Sequence, residues 1–375
     1  MKVDKSKRKI CLLEEICSIR TGKKDANHAD DNGCYPFFTC GAIPLKSTTY
    51  SFEGANLIVP GNGDIGRCFY YDGKIEAYQR TYVIQLKDNS NIDTKYLYSI
   101  FKACWKSYIE NKILGAAMPY IKLGHLNSCP IASYYLDIQL LITSELDAMQ
   151  AMIDGYRAQI ADLDALAQSI FHNTFGNVAI NDKCWNIIPM GQLGNFKNGL
   201  NYSKEERGKS VKIIGVGDFH CIKCISSFDN ISYIEVEDTP QEYLLHNEDI
   251  IFVRSNGNKN LVGRCLEVFP NNTEVTFSGF CIRFRKSVEI INKYLISLLT
   301  DIEFKNTHIL KSNGIGIQNI NQKLLSSLPI PVPPIDIQKK YAIQVEAIEK
   351  QKELIRQQLT DAETLMAERM QYYFS

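Results

Sequence analysis

DIQLLITSELDAMQAMIDGYRAQIADLDALAQSIFHNTF, Asp137 to Phe175, is the stretch that decides the fold, because the chain contains it twice. The second copy, Asp336 to Phe374, reads DIQKKYAIQVEAIEKQKELIRQQLTDAETLMAERMQYYF. Each position of the second copy lies 199 residues after its counterpart. The same offset relates Gly115 to Gly314, Ile121 to Ile320, and Pro130-Ile131 to Pro329-Ile330. Arg157, Gln159, Asp162 and Leu166 return as Arg356, Gln358, Asp361 and Leu365. A register held without a gap from Gly115 to Phe175 marks an internal duplication.

The apolar positions predict what the copies are. In the first they fall at Ile142, Leu146, Met149, Ile153, Tyr156, Ile160, Leu163, Ala167 and Ile170. The steps alternate between four and three residues, the spacing of a heptad seam. The second places Tyr341, Val345, Ile348, Ile355, Leu359, Ala362 and Met366 on matching positions, with Lys352 and Arg369 interrupting. About five heptads give a helix of roughly 50 Å. A seam this long calls for another helix, and its own twin is the expected partner.

A chain of 375 residues accommodates two domains plus connectors, and 45% hydrophobic residues suffice for real cores. No apolar run reaches the ~20 residues of a membrane span, and the basic start leads into no apolar signal core, so a cytoplasmic location is expected. Twelve cysteines are scattered among apolar neighbours, as buried free thiols are. The 42 basic residues balance 42 acidic ones, which argues against coating nucleic acid by bulk charge. The first helical copy carries Asp137, Glu145, Asp147, Asp154, Asp162 and Asp164 against Arg157, so any contact with a polyanion must come from the globular parts.

Those parts share one grammar. In the first, Asn56 to Val59 reads as a buried strand closed by Pro60-Gly61-Asn62-Gly63. Ile65 to Tyr71 and Thr81 to Leu86 read as two further strands with a turn at Asp72-Gly73 between them, and Tyr96 to Ile109 as a helix. In the second, Gln192 to Gly199 answers Glu15 to Gly22, Ile250 to Val253 answers the strand at Leu57, and Lys293 to Phe304 answers the helix. Val262-Gly263-Arg264-Cys265 answers Ile65-Gly66-Arg67-Cys68 at an offset of 197. The globular parts have drifted further than the helices. The helices therefore do one job twice, and the globular parts do related but different jobs.

Most chemistries find no support in the sequence. Gly61 to Cys68 has a Gly-x-x-x-x-Gly frame but lacks the Lys-Ser/Thr that reaches phosphate and magnesium, and it lies between strands. Val332-Pro333-Pro334-Ile335 lacks the flanking residues of an amino-methyltransferase motif, and reads as prolines ending a strand before a helix. No Gly-rich loop is placed to hold S-adenosylmethionine. Cys221-Ile222-Lys223-Cys224 has no second pair to complete a zinc site, and the six histidines form no pair at ligand spacing.

Loop chemistry suited to nucleic acid is what remains. Arg254, Asn256, Asn258, Lys259 and Asn260, followed by Arg264, lie in a segment without acidic residues. The matching set in the first half is Asn62, Arg67, Tyr78, Gln79 and Arg80, with Lys23 and Lys24 nearby. Arginine reads guanine and asparagine or glutamine reads adenine through paired hydrogen bonds, while lysine neutralises phosphate. Asn-Gly pairs are also ordinary turn residues.

Two drifting globular parts, each followed by a similar long helix, resemble the specificity subunit of a Type I restriction-modification system. The motif opening each helix carries the match: Cys129-Pro130-Ile131 with Asp137-Ile138-Gln139, and Leu328 to Ile335 with Asp336-Ile337-Gln338. The second copy has the family's proline cluster; the first has Ala132-Ser133-Tyr134-Tyr135 there. The resemblance implies an α+β chain with target recognition domains at residues 1–130 and 185–330. It implies conserved helical regions at residues 131–176 and 331–375, packed as an antiparallel coiled coil. Each recognition domain would read one half of a split sequence in double-stranded DNA. The helices would dock two methyltransferase (modification) subunits, and a motor-nuclease restriction subunit would join them. It implies no catalytic residues and no cofactor in this chain, with S-adenosylmethionine held by the partner. Two other readings stand beside it: a coiled-coil scaffold with two protein-binding heads, and a stand-alone bifunctional restriction enzyme.

Overall fold

Both copies of the duplicated stretch are helices of 40 residues, Leu136–Phe175 and Ile335–Phe374, in the computed structural model of the chain. At ~1.5 Å per residue each is about 60 Å long, a turn or two beyond what the apolar seam spans. The structure describes residues 3–115, 117–202, 208–219, 224–237, 240–255, 261–310 and 319–374. The fold is α+β. Residues 1–159 with 355–375 make one compact unit and residues 160–354 the other, so each long helix contributes to both.

Unit 1 holds strands β1 (Lys9–Leu12), β2 (Cys17–Thr21), β3 (Tyr35–Phe38), β4 (Leu45–Ser47), β5 (Ala55–Pro60), β6 (Phe69–Asp72), β7 (Glu76–Ala77), β8 (Thr81–Leu86) and β9 (Pro130–Ser133). They form a four-stranded sheet in the order β2-β8-β5-β6, a three-stranded sheet β4-β3-β7, and the pair β1-β9. Strand β5 explains the layering, because side chains alternate across a strand. Leu57 and Val59 face the core with Tyr96, Leu97, Ile100 and Trp105, while Ile58 faces a second core with Phe38, Ile75 and Val83. Each fully buried aliphatic side chain contributes about 1.5–3 kcal/mol, so a strand covered on both faces anchors two layers.

Unit 2 repeats the plan. Its strands are β10 (Asn186–Pro189), β11 (Gly194–Asn198), β12 (Lys209–Ile214), β13 (Cys224–Ile225), β14 (Tyr233–Val236), β15 (Asp249–Val253), β16 (Cys265–Val268), β17 (Val275–Phe277), β18 (Cys281–Lys286) and β19 (Pro329–Val332). They form sheets β11-β18-β15-β16-β13 and β14-β12-β17 and the pair β10-β19. Strand β15 does what β5 does: Ile250 and Phe252 face one core, Ile251 and Val253 the other.

The start of each long helix is built around one glutamine. Gln139 and Gln338 are 0% and 1% exposed. Gln139 Nε2 donates to the Tyr134 carbonyl at 2.7 Å, and its Oε1 accepts from the Asp93 backbone N–H at 2.9 Å. Gln338 Nε2 donates to the Pro333 carbonyl at 2.8 Å, and its Oε1 accepts from the Ile291 N–H at 3.0 Å. A buried amide must satisfy both ends. Here it does so against carbonyls that any residue supplies and N–H groups that any residue but proline supplies, so the two helices begin alike although only one has the proline cluster.

Along the helices, Ile142, Leu146, Ile153, Tyr341, Val345, Ile348 and Ile355 are buried, while Met149, Tyr156, Ile160, Leu163, Leu359 and Met366 are half-buried. Both interruptions of the seam meet acids from the other helix. In unit 1 Arg369 Nε lies 2.9 Å from Glu145 Oε1, and Arg157 Nη2 lies 2.6 Å from Glu363 Oε1. In unit 2 Lys352 Nζ lies 2.6 Å from Asp164 Oδ1, and the rings of Phe171 and Phe175 pack on Tyr341.

Three expectations need correction. Ile65 to Cys68 is a turn rather than strand: Arg67 N–H bonds back to the Asp64 carbonyl, and the Ile65 carbonyl accepts from the Trp105 indole at 2.8 Å. The turn at Asp72-Gly73 does not join a hairpin of β6 and β8, since β5 lies between them and pairs with both. The expected helix runs Thr94–Ile100 and Lys106–Glu110 around a π-helical turn, Phe101–Trp105, and its counterpart in unit 2 carries one at Lys305–Leu310. Among the described residues no helix is long and apolar enough to cross a membrane.

Candidate nucleic-acid interface

In unit 1 three turns converge at one edge of the sheets. The first, after β2, contains Gly22, Lys23 and Lys24. The second, between β7 and β8, contains Tyr78, Gln79 and Arg80. The third, after β5, contains Gly61 and Asn62. Backbone hydrogen bonds lock them together. Gly22 N–H donates to Thr81 at 3.2 Å, Gln79 N–H to Lys24 at 2.9 Å, Thr81 N–H to Tyr78 at 2.8 Å and Gly61 N–H to Arg80 at 2.8 Å. Glycine is required at position 22, where a Cβ would collide with the Ala77 carbonyl. Lys23, Gln79 and Arg80 stand exposed on this frame, and Lys24, Asn62 and Tyr78 are half-buried in it.

Asn62, Gln79 and Arg80 line one open recess of about 400 Å³, together with Thr21, Tyr82 and Tyr120. Gln79 Nε2 donates to Asp25 Oδ2 at 3.2 Å, and Asn62 Nδ2 to Met118 Sδ at 3.4 Å. Arg67 is engaged differently: its guanidinium pairs with Asp64 at 2.6 Å and lies over the Phe69 ring. The structure thus brings together six of the seven sequence candidates of this half, with Arg67 held by its own acid.

Unit 2 reproduces the frame with other side chains. Gly199 N–H donates to Cys281 at 3.0 Å, Gly279 N–H to Leu200 at 2.8 Å, Cys281 N–H to Ser278 at 2.7 Å and Arg254 N–H to Phe280 at 2.8 Å. Each bond matches one in unit 1, and Ile320 N–H to Arg254 repeats Ile121 N–H to Gly61. Leu200 therefore stands where Lys24 does, Ser278, Gly279 and Phe280 stand for Tyr78, Gln79 and Arg80, and Arg254 stands for Gly61. Lys23 is an extra residue of the first turn. Leu200, Ser278 and Phe280 carry no signal of their own in the sequence, although the correspondence of Gly199 with Gly22 points to them. Arg254 is half-buried. Arg264 Nη1 donates to the Phe219 carbonyl at 3.4 Å, which ties it to the sheet layer beneath. Asn256, Asn258, Lys259 and Asn260 lie outside the described residues, as do three residues of the Cys221–Cys224 stretch.

Chemically, these edges offer hydrogen-bond donors and rings. Beside the second frame, burial pushes the Cys281 thiol up to about 12, so it stands as a neutral thiol. Among the described residues no group of three or more His, Cys, Asp or Glu is placed to hold a metal.

Comparison with known proteins agrees with this duplicated plan. The family model described as Type I restriction modification DNA specificity domain matches residues 6–163 and again residues 174–364. The Type I restriction enzyme EcoDI specificity subunit of Escherichia coli is 27% identical over 377 residues, covering 93% of this chain and 83% of that protein. The StySPI specificity subunit of Salmonella potsdam is 26% identical over 280 residues, covering 69% of this chain and 59% of its own length. The fold resembles the crystal structure of a Type I restriction-modification S subunit from M. genitalium, with a TM-score of 0.63 at 16% identity over 100% of this chain and 98% of the other. A solved chain from work on complex assembly and conformational transition of the type I R-M system aligns with a TM-score of 0.57 at 14% identity, over 98% and 97% of the two chains. With two matches of the family model spanning most of its length, the chain belongs to the Type I restriction-modification DNA specificity family.

Proposed function

We propose that this chain reads a bipartite DNA target, one half with each unit, and presents that DNA to methyltransferase subunits docked on its long helices. The observation carrying this reading is the pair of matched frames. One set of backbone hydrogen bonds holds Lys24, Gln79 and Arg80 in one unit and Leu200, Gly279 and Phe280 in the other. A constant frame with changed side chains is what two readers of different half-sites require, because base edges are told apart by donors, acceptors and methyl groups.

In this reading residues 1–130 and 185–330 are the recognition domains, and residues 131–176 and 331–375 are the spacer. The long helices pair as an antiparallel coiled coil through Ile142, Leu146, Met149, Ile153, Tyr156, Ile160 and Leu163 of the first and Tyr341, Val345, Ile348, Ile355, Leu359 and Met366 of the second. Supporting this are the pairing of Arg369 with Glu145 and of Arg157 with Glu363, whose order reverses between the helices. Lys352 with Asp164 and Phe171 with Tyr341 reverse in the same sense within unit 2. Two equivalent helical faces suit two copies of one partner. The chain itself is non-catalytic, S-adenosylmethionine belongs to the partner, and a restriction subunit completes the nuclease. All of this is set in the cytoplasm.

Methylome sequencing of a host carrying the chain with its modification subunit tests the reading. A split recognition sequence is expected. Deleting one heptad from both helices should alter the spacer between the half-sites and leave their sequences unchanged. Altered half-sites, or a continuous target, would overturn it.

A further inference from the structure

We infer that Phe280 is a specificity-determining residue that reads the 5-methyl group of a thymine, at the position where unit 1 carries Arg80. The inference rests on the DNA-reading function proposed above and names one base contact within it.

Phe280 is 62% exposed. One exposed apolar side chain alone says little. Its position says more. It occupies the place of Arg80, on a turn closed by the same bonds: its carbonyl accepts from Arg254 N–H as that of Arg80 accepts from Gly61 N–H, each at 2.8 Å. The turn is further held by the Phe280 N–H donating to Ser278 Oγ at 3.3 Å. The ring is thus presented from a fixed backbone and has only two side-chain torsions to order on contact.

The exchange of side chains changes what the position can read. The guanidinium of Arg80 matches the paired acceptors of guanine. A phenyl ring offers no hydrogen bond, and against most base edges it would strip water from donors and acceptors without replacing it. The major-groove edge of thymine is the exception, because it carries a methyl group. Burying that methyl against the ring is favourable by about the value of one methylene, a factor of three to five in affinity.

The test uses the full chain assembled with its modification subunit and duplexes carrying the mapped target. Each thymine is replaced in turn by deoxyuridine, which removes only the methyl. One replacement in the half-site read by unit 2 should weaken binding about three- to fivefold. Phe280→Ala should weaken binding to the thymine duplex and become indifferent to that replacement. Overturning results are a half-site without thymine, a deoxyuridine scan silent at every position, or a Phe280→Ala variant that keeps the wild-type sensitivity. Loss of affinity in the variant with a silent scan would assign the ring to stacking and also reject the methyl contact. If that variant melts abnormally, Phe280→Arg, which restores the residue type of unit 1, takes its place, and retained sensitivity to the same replacement overturns the assignment. Absence of any sequence-dependent binding by the wild-type assembly would overturn the DNA-reading function itself. Specific binding with a silent scan would overturn only the role of Phe280.

Discussion

Lys352 is 4% exposed on the second long helix, and its ammonium lies 2.6 Å from Asp164 of the first. Its repeat counterpart is Ile153. Glu349 supplies a second carboxylate at 3.1 Å. A desolvated lysine is tolerated here because it is paired, and pairs of this kind fix which residues face each other more than they add stability. Lys352→Ile, which restores the seam, is expected to leave the thermal midpoint unchanged or raise it. Asp164→Asn should lower stability by about 1–2 kcal/mol, since one partner of the ammonium is lost. Calorimetry of both variants checks this; a large loss in Lys352→Ile would refute it.

Gln139 bridges the first long helix to the backbone of its own unit, and Gln338 does so in the other. Replacing either by leucine strands buried backbone groups. The expected cost is roughly 2–4 kcal/mol for each variant. Urea unfolding should show the two effects to be similar. A cost near zero for one of them would mean that this helix start is held by other contacts.

Arg80 and Arg254 stand on the frames of different units. Alanine at Arg80 should relax one position of one half-site, and alanine at Arg254 one position of the other. The loss of discrimination is expected at about 1–3 kcal/mol where the side chain contacts its base in a bidentate manner. Methylation mapping of both variants reads this out, and a change in both half-sites from one substitution would reject the division of labour.

Burial pushes the thiols of Cys17, Cys129 and Cys281 up to about 12. The native state therefore keeps these protons while the unfolded chain gives them up from about pH 9. Their contribution to stability is full below that value and fades as pH rises towards 12. In the native protein at neutral pH, an alkylating reagent should modify the exposed Cys34 and Cys184 first and reach these three only on unfolding. Mass spectrometry of briefly labelled protein distinguishes the two classes.

The duplication, the two long helices and their apolar stripe were determined by the sequence itself, because a helical period and a constant offset are written in residue order. The buried strands at Leu57 and Ile250 were legible for a similar reason: short apolar runs bounded by turn residues have few other uses. Pairing was not legible. That β5 lies between β6 and β8 depends on contacts across distant segments, which no local pattern records. The candidate edge was half legible: Gln79 and Arg80 stand out by type, whereas Leu200 and Phe280 look like ordinary apolar residues until the backbone bonds of their turn make them the counterparts of Lys24 and Arg80. Only the tertiary frame decides which side chains occupy equivalent positions, because equivalence is a property of the hydrogen-bonded backbone and not of residue type.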